Sequence, residues 1–223
     1  MHRRSLHDSA GSPPNTLASH EQVFDTGDVA ALPLSLFATG DPALATGVVV
    51  ERDELDELCW VDVGRGWMCG GDALLEQLVR DLPWRQGRRL MWGNWVDEPR
   101  LGAAVRLRDA PPLLRAAARA LAGTYATPFD SCWCNYYRDG RDSVAWHADQ
   151  EGRQRREPLV AIISLGGPRA FGLRPMGGGT ARMYTLHSGD LLVMGGATQH
   201  RWEHAVLKCA HAAPRLSVTF RRG

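Results

Sequence analysis

Residues 215–222 read RLSVTFRR. Leu216, Val218 and Phe220 alternate with Arg215, Ser217, Thr219 and Arg221, and side chains two apart on a strand share a face. The segment is therefore a strand with one apolar face and one face of hydrogen-bond donors. Working back from it, short apolar runs broken by Gly, Pro and Asp recur after Gly123, as in LVAIISLGGP, FGLRP and YTLHSGDLLVMGG. Closely spaced strands with turn residues between them predict an antiparallel sandwich or barrel.

The earlier part of the chain has a different texture. Residues 1–30 are polar, rich in Ser, Pro, Asp and His, and show no sustained period, so they are expected to be a flexible leader. From Leu32 to Val63 apolar and polar residues mix as in short helices or strands. GDALLEQLVRDLPW then predicts a helix from an Asp72 cap to a stop at Pro83. A second helix is expected from Pro111 to Leu121, with Leu113, Leu114, Ala117 and Leu121 on one face and Gly123 just past its end. The expectation is one α+β domain over residues 31–223, a helical N-terminal half braced against a β half.

Composition narrows the class. At 223 residues and 44% hydrophobic content, the chain suffices for one sizeable core but not for two large domains. Its net charge of +1 decides nothing, although of 26 basic residues only Lys208 is a lysine. Arginine suits bidentate contact with phosphate or carboxylate, and a GC-rich coding bias would give the same skew. Five scattered cysteines, an odd number, argue against a disulfide framework. No stretch resembles a membrane span, and Met1 to Arg4 lack the apolar run of a signal peptide. These features predict a cytoplasmic protein with no membrane association and no obligate protein partner.

The chemistry begins at SVAWHADQEG, residues 143–152. On a strand, His147 and Asp149 point the same way and offer one nitrogen and one oxygen to a single ion. A third ligand would come from a neighbouring strand, and GGATQHRWEHAVLK offers His200 and His204. Two histidines and one carboxylate leave open positions that suit a redox-active Fe(II), whereas a catalytic zinc takes three protein ligands and a water. On the last strand, Arg215 and Arg221 have Cα atoms roughly 20 Å apart. Leaning inward, their guanidinium groups would reach opposite ends of one small dicarboxylate; on a solvated edge strand they would meet water or phosphate. In CWCNYYRDG, Asn135 and Tyr137 share a face and would hydrogen-bond carboxylate oxygens, while Tyr136 points into packing. A non-catalytic alternative is a jelly-roll binding module or a zinc protein using Cys132, Cys134, Cys209 and His211.

Taken in order, NYYRDGRDSVAWHADQE, SLGGPRAFGLRP, LHSGDLLVMGGATQHRWEH and PRLSVTFRR resemble the core of the AlkB family of Fe(II)/2-oxoglutarate dioxygenases, over about residues 80 to 222. The resemblance implies a double-stranded β-helix, or jelly roll, at about residues 124–222 behind a nucleotide-recognition lid at about 85–108. It implies His147, Asp149 and His204 as catalytic iron ligands, leaving His200 structural or on the substrate side. Asn135, Tyr137 and Arg215 would hold 2-oxoglutarate, with Arg221 also at the site and Ser217 where an Asn often helps. The cofactors would be Fe(II), 2-oxoglutarate and dioxygen. The implied reaction couples decarboxylation of 2-oxoglutarate to hydroxylation of the N-alkyl carbon of a damaged base, with release of an aldehyde.

For the substrate, the resemblance points to alkylated DNA and leaves RNA open as a second partner. Glu151 matches an acidic position that contacts the base. A base inside a duplex must leave the stack to be reached, and RRLMWGNWVDEPRL resembles the finger of members that act on double strands, with Trp92 beside Gly93 as the wedge. Arg88, Arg89 and Arg100 would meet phosphates, as would Arg153, Arg155 and Arg156. The chain departs from the family after its Pro-Arg pair, where PRLGAAVRL shows no aromatic to stack on the flipped base; HAVLK also stands where HRVPK is common. The missing aromatic supports an alternative in which the same chemistry acts on a protein, lipid or small molecule.

Overall fold

The computed structural model describes residues 40–91, 93–149 and 158–222; the leader expected at 1–30 and the candidates Trp92, Glu151, Arg153, Arg155 and Arg156 lie outside them. In chain order the elements are β1 (Ala43–Leu44), β2 (Val50–Asp56), β3 (Cys59–Gly64), β4 (Met68–Cys69), α1 (Gly71–Asp81), β5 (Arg85–Met91), β6 (Asn94–Arg106), a 3-10 turn at Leu107–Asp109, and α2 (Pro112–Tyr125). There follow β7 (Ser131–Tyr137), β8 (Val144–His147), β9 (Val160–Gly166), β10 (Arg169–Pro175), β11 (Arg182–Leu186), β12 (Leu191–Gly196), α3 (Thr198–Arg201), β13 (Trp202–Val206) and β14 (Arg215–Arg221).

Two antiparallel sheets carry the fold. The larger runs in the order β2-β3-β12-β9-β14-β7-β6-β5 and the smaller β11-β10-β13-β8, while β1 and β4 form a separate pair. One apolar cluster fills the space between the two sheets, with Ile162 and Met194 from the large sheet meeting Phe171 and Leu173 from the small one. A second cluster covers the other face of the large sheet, where Leu74 and Leu78 of α1 and Leu114 and Leu121 of α2 pack on Ile163, Val193 and Val218. The strict period of two makes this possible. In β9, Ile162 belongs to one cluster and Ile163 to the other. Each fully buried Leu or Ile contributes about 1.5–3 kcal/mol. The jelly roll expected from the sequence is thus a sheet-on-sheet core with helices on its back.

The helical N-terminal half was an incomplete reading. β2 and β3 extend the large sheet beyond β12, and β5 and β6 extend it beyond β7. Their alternation is obscured by acidic residues, which face neighbours of their own: Asp62, 5% exposed, accepts from Arg52 at 2.7 Å and from the Tyr125 hydroxyl at 3.0 Å.

Both helices differ at their ends from the sequence expectation. The cap of α1 is Gly70 at φ 63, where an added Cβ would lie 2.5 Å from the Gly40 carbonyl oxygen. Asp72 sits one residue into the helix and accepts from Ser188 Oγ at 3.1 Å. α2 passes through Gly123 and ends at Tyr125, whose ring stacks 6.1 Å from Trp60. The Tyr125 contacts hold the last turn helical and outweigh the weak propensity of glycine.

Two glycines test this packing from opposite directions. Gly189 has φ +86, and a Cβ there would come 2.0 Å from the Met68 carbonyl oxygen. Gly189→Ala is expected to lower stability by roughly 1–3 kcal/mol. Gly123 lies inside α2 with nothing within 4 Å of a built Cβ. Gly123→Ala is expected to raise stability by about 0.5–1 kcal/mol. Urea titration of the two variants checks the opposite signs.

Candidate metal and cosubstrate site

β8 and β13 are neighbours, and their register sets His147 directly opposite His204. Their ring centroids are 4.2 Å apart. Asp149 follows the end of β8, two residues on, and its Oδ1 lies 3.7 Å from His147 Nε2 and 4.0 Å from His204 Nε2. One ligand atom from each of the three lies within 4.8 Å of the others. The three side chains that the sequence put forward as ligands therefore converge on one point.

Each ligand is held in place by a neighbour. His147 Nδ1 lies 2.8 Å from the Ala145 carbonyl oxygen, which takes the Nδ1 proton and leaves the Nε2 lone pair for a metal. The Phe171 ring stacks on His204 at 5.5 Å and 19°. Asp149 is 7% exposed, with Arg221 Nη2 at 3.0 Å from its Oδ2 but out of line for a good hydrogen bond. The side chain of fully buried Gln199 accepts the Asp149 backbone N–H at 3.4 Å.

Beside the ligands is a buried cation. Arg215 is 1% exposed; its Nε donates to Ser164 Oγ at 3.0 Å, and its guanidinium lies 5.2 Å from the Tyr137 ring centre. Its Nη1 has no hydrogen-bond partner among the described residues, and burial pushes its pKa down. A desolvated guanidinium with an idle donor and no carboxylate beside it among the described residues is an anion-binding group awaiting its anion. The chemistry of the donor set thus fits both absent groups, a ferrous ion on the triad and a carboxylate on Arg215.

These side chains line one cavity of about 330 Å³, in the lower range of small-ligand sites. β7 and β14 pair so that Tyr137 faces Arg215 and Asn135 faces Ser217. All four line the cavity, as does Arg221. Arg221 leans towards Asp149 instead of the far end of a dicarboxylate. Asn135 Oδ1 accepts both from Arg100 Nε and from Trp133 Nε1, each at 3.0 Å, which leaves its amide nitrogen to offer a ligand.

Other sequence candidates fall differently. Arg100, read as a phosphate contact, stands in the cavity wall and pairs with Glu98 at 3.1 Å. It stands one residue before the paired run of β6 with β7 and reaches across to Asn135, to whose Oδ1 its Nε donates at 3.0 Å. Gly93 is exposed at the turn between β5 and β6, with φ +81. His200, on α3, is outside the ligand cluster. Cys132 and Cys134 are buried on the helix-facing side of β7 and Cys209 is exposed, so the alternative zinc set does not assemble among the described residues. Sequence reasoning missed Phe171, Gln199 and Ser164. The alternation of RAFGLRP was the one signal that placed Phe171 inward.

The comparisons with known proteins agree with this geometry. The model of the 2OG-Fe(II) oxygenase superfamily matches residues 97–221. Human alpha-ketoglutarate-dependent dioxygenase alkB homolog 3 is 32% identical over 208 residues, covering 78% of this chain and 72% of that protein. Human DNA oxidative demethylase ALKBH2 is 25% identical over 177 residues, 68% of each chain. The solved structure of OsALKBH1 matches at a TM-score of 0.54 and 15% identity, covering 78% of this chain and all of that one; it supports the fold. The chain belongs to the AlkB family within the 2OG-Fe(II) oxygenases and is a dioxygenase whose cofactors are Fe(II), 2-oxoglutarate and dioxygen.

Burial pushes the His204 pKa down to about 3; Asp149 opposes the shift, while His147 and Arg221 add to it. The ring is therefore neutral at physiological pH and ready to ligate. Because the folded pKa lies below the unfolded value of about 6.5, the unfolded chain binds the proton more readily between those limits. The stability of the metal-free protein is expected to fall as pH drops from about 6.5 towards 3. In His204→Leu that fall should be smaller; equal slopes in thermal melts of the two proteins would count against a buried neutral imidazole.

Proposed function

We propose that this protein removes N-alkyl groups from the bases of nucleic acid, with DNA as the principal substrate. The observation that carries the reading is the buried Arg215 with an idle donor, set beside a His-Asp-His cluster in one cavity. The names of the matched relatives add the substrate class: one of them is a DNA oxidative demethylase. When bound, iron and dioxygen supply the oxidative decarboxylation of 2-oxoglutarate to succinate and the oxidation of the alkyl carbon, which then leaves as an aldehyde.

The residues of the chain do the rest. Arg215 holds a carboxylate of 2-oxoglutarate in a dry setting where the ion pair is strong. Asn135 and Tyr137 orient the same molecule by their amide and hydroxyl groups. Ser217 and Thr219 present hydroxyls from β14 along the cavity wall. Arg221 stands beside Asp149, its Nη2 3.0 Å from Oδ2, and limits the swing of the carboxylate. Ile162, Phe171 and Val206 form an apolar wall that excludes water from the reacting carbon.

The β5–β6 hairpin supports action on paired strands. Leu90 and Trp95 are cross-strand partners, 60% and 62% exposed, and Arg88 lies 6.0 Å from the Trp95 ring centre. An exposed apolar pair flanked by arginine suits a finger that enters a duplex and meets its phosphates, with Gly93 at its turn; we assign the wedge to Trp92. We assign Glu151 to the base edge and place the protein in the cytoplasm, where its five free cysteines stay reduced. No helix among the described residues is long and apolar enough to cross a membrane.

The test is a panel of single- and double-stranded oligonucleotides, DNA and RNA, bearing 1-methyladenine or 3-methylcytosine. Iron-loaded protein is expected to release formaldehyde and succinate in equal amounts, and Asp149→Ala to release neither. Succinate without formaldehyde would sink the reading and favour a protein, lipid or small-molecule substrate.

A further inference from the structure

Beyond Arg100, β6 continues as Leu101, Gly102, Ala103, Ala104 and Val105. It brings no aromatic ring to the cavity, so a base entering there would find no stacking surface on that strand. The neighbouring strand supplies one. Trp133 shares a face of β7 with Asn135 and Tyr137 and lines the metal cavity with them. It also lines an adjoining cavity of about 280 Å³ bounded by β5, β6 and β7.

Two contacts fix the indole. Its Nε1 donates to Asn135 Oδ1 at 3.0 Å. Its six-membered ring lies against Gly102, where an added Cβ would come 2.6 Å from Trp133 Cζ2. These contacts brace the ring on one edge and one face, yet 40% of the residue is exposed. Cys132 and Cys134, on the helix-covered face of the same strand, are 3% and 0% exposed by contrast. A large flat ring, braced and open at the junction of two cavities, has the properties of a stacking platform.

We propose that Trp133 forms the wall on which the alkylated base stacks, taking the part that an aromatic residue on β6 would otherwise play. Gly102 is its counterpart, the residue whose missing side chain makes room for the indole. This assignment rests on the dealkylase reading above. It gives the chain a base-binding surface on the same strand that positions Asn135, so substrate and cosubstrate pockets share one wall.

The experiment compares Trp133→Ala and Trp133→Phe with the unaltered protein. Binding of a fluorescein-labelled single strand containing one 1-methyladenine is followed by polarisation without iron, and KM and kcat for the same strand are measured with iron. Trp133→Ala is expected to weaken binding and raise KM roughly tenfold or more, the effect of losing one stacked base, with the KM for 2-oxoglutarate little changed. Trp133→Phe keeps a ring but loses the bond to Asn135, and is expected to recover most of the affinity. If Phe is as poor as Ala, or if the KM for 2-oxoglutarate rises in both, Trp133 serves Asn135 and not the base. If Ala binds and turns over as the unaltered protein does, the assignment also fails, while the dealkylase reading stands. An unaltered protein that releases no aldehyde from any methylated strand overturns both.

Discussion

The structure depends on the insertion of β14 between β9 and β7. Hydrogen-bonded on both sides, this strand cannot shift by one residue without exchanging its two faces. In the observed register Leu216, Val218 and Phe220 go into the core beneath the helices, and Arg215, Ser217, Thr219 and Arg221 go into the cavity. A slip would bury two arginines under α1 and α2 and expose a phenylalanine. The apolar core therefore enforces the position of the polar site, and Arg215 reaches its buried place because its neighbours in sequence are needed on the other side.

The pairing of β8 with β13 acts in the same way on the metal ligands. His147 and His204 are 57 positions apart in the chain and become cross-strand partners. Around them the charges alternate: Arg221 beside Asp149, Asp149 beside two imidazoles, Arg215 deeper in. Taking a guanidinium out of water costs several kcal/mol, and Ser164 and the Tyr137 ring offset only part of that cost. The site is thus built to be completed by a negatively charged molecule.

Much of this was legible in the sequence because it lies on strands with clean alternation. The pairs Asn135 and Tyr137, and Arg215 and Ser217, follow from a period of two and needed no coordinates. The choice between His200 and His204 did not follow from spacing; the family resemblance made it, and the register of β13 against β8 gives its physical basis. The N-terminal strands were hidden because their inward residues include Asp62, whose burial is made tolerable by Arg52 and Tyr125, partners remote in sequence. The inward turn of Arg100 was hidden for a similar reason, since its acceptor Asn135 lies 35 positions away. The span of α2 past Gly123 depended on contacts of Tyr125 that no local pattern reports.

Arg215 also links catalysis to folding. A ligand that binds the native protein and not the unfolded chain raises stability by mass action. A carboxylate that neutralised this guanidinium in the folded state would have no comparable partner once the strands separate. A carboxylate gripped there would add to the stability of the fold in step with its concentration, so filling the cavity and holding β14 in place are one and the same event.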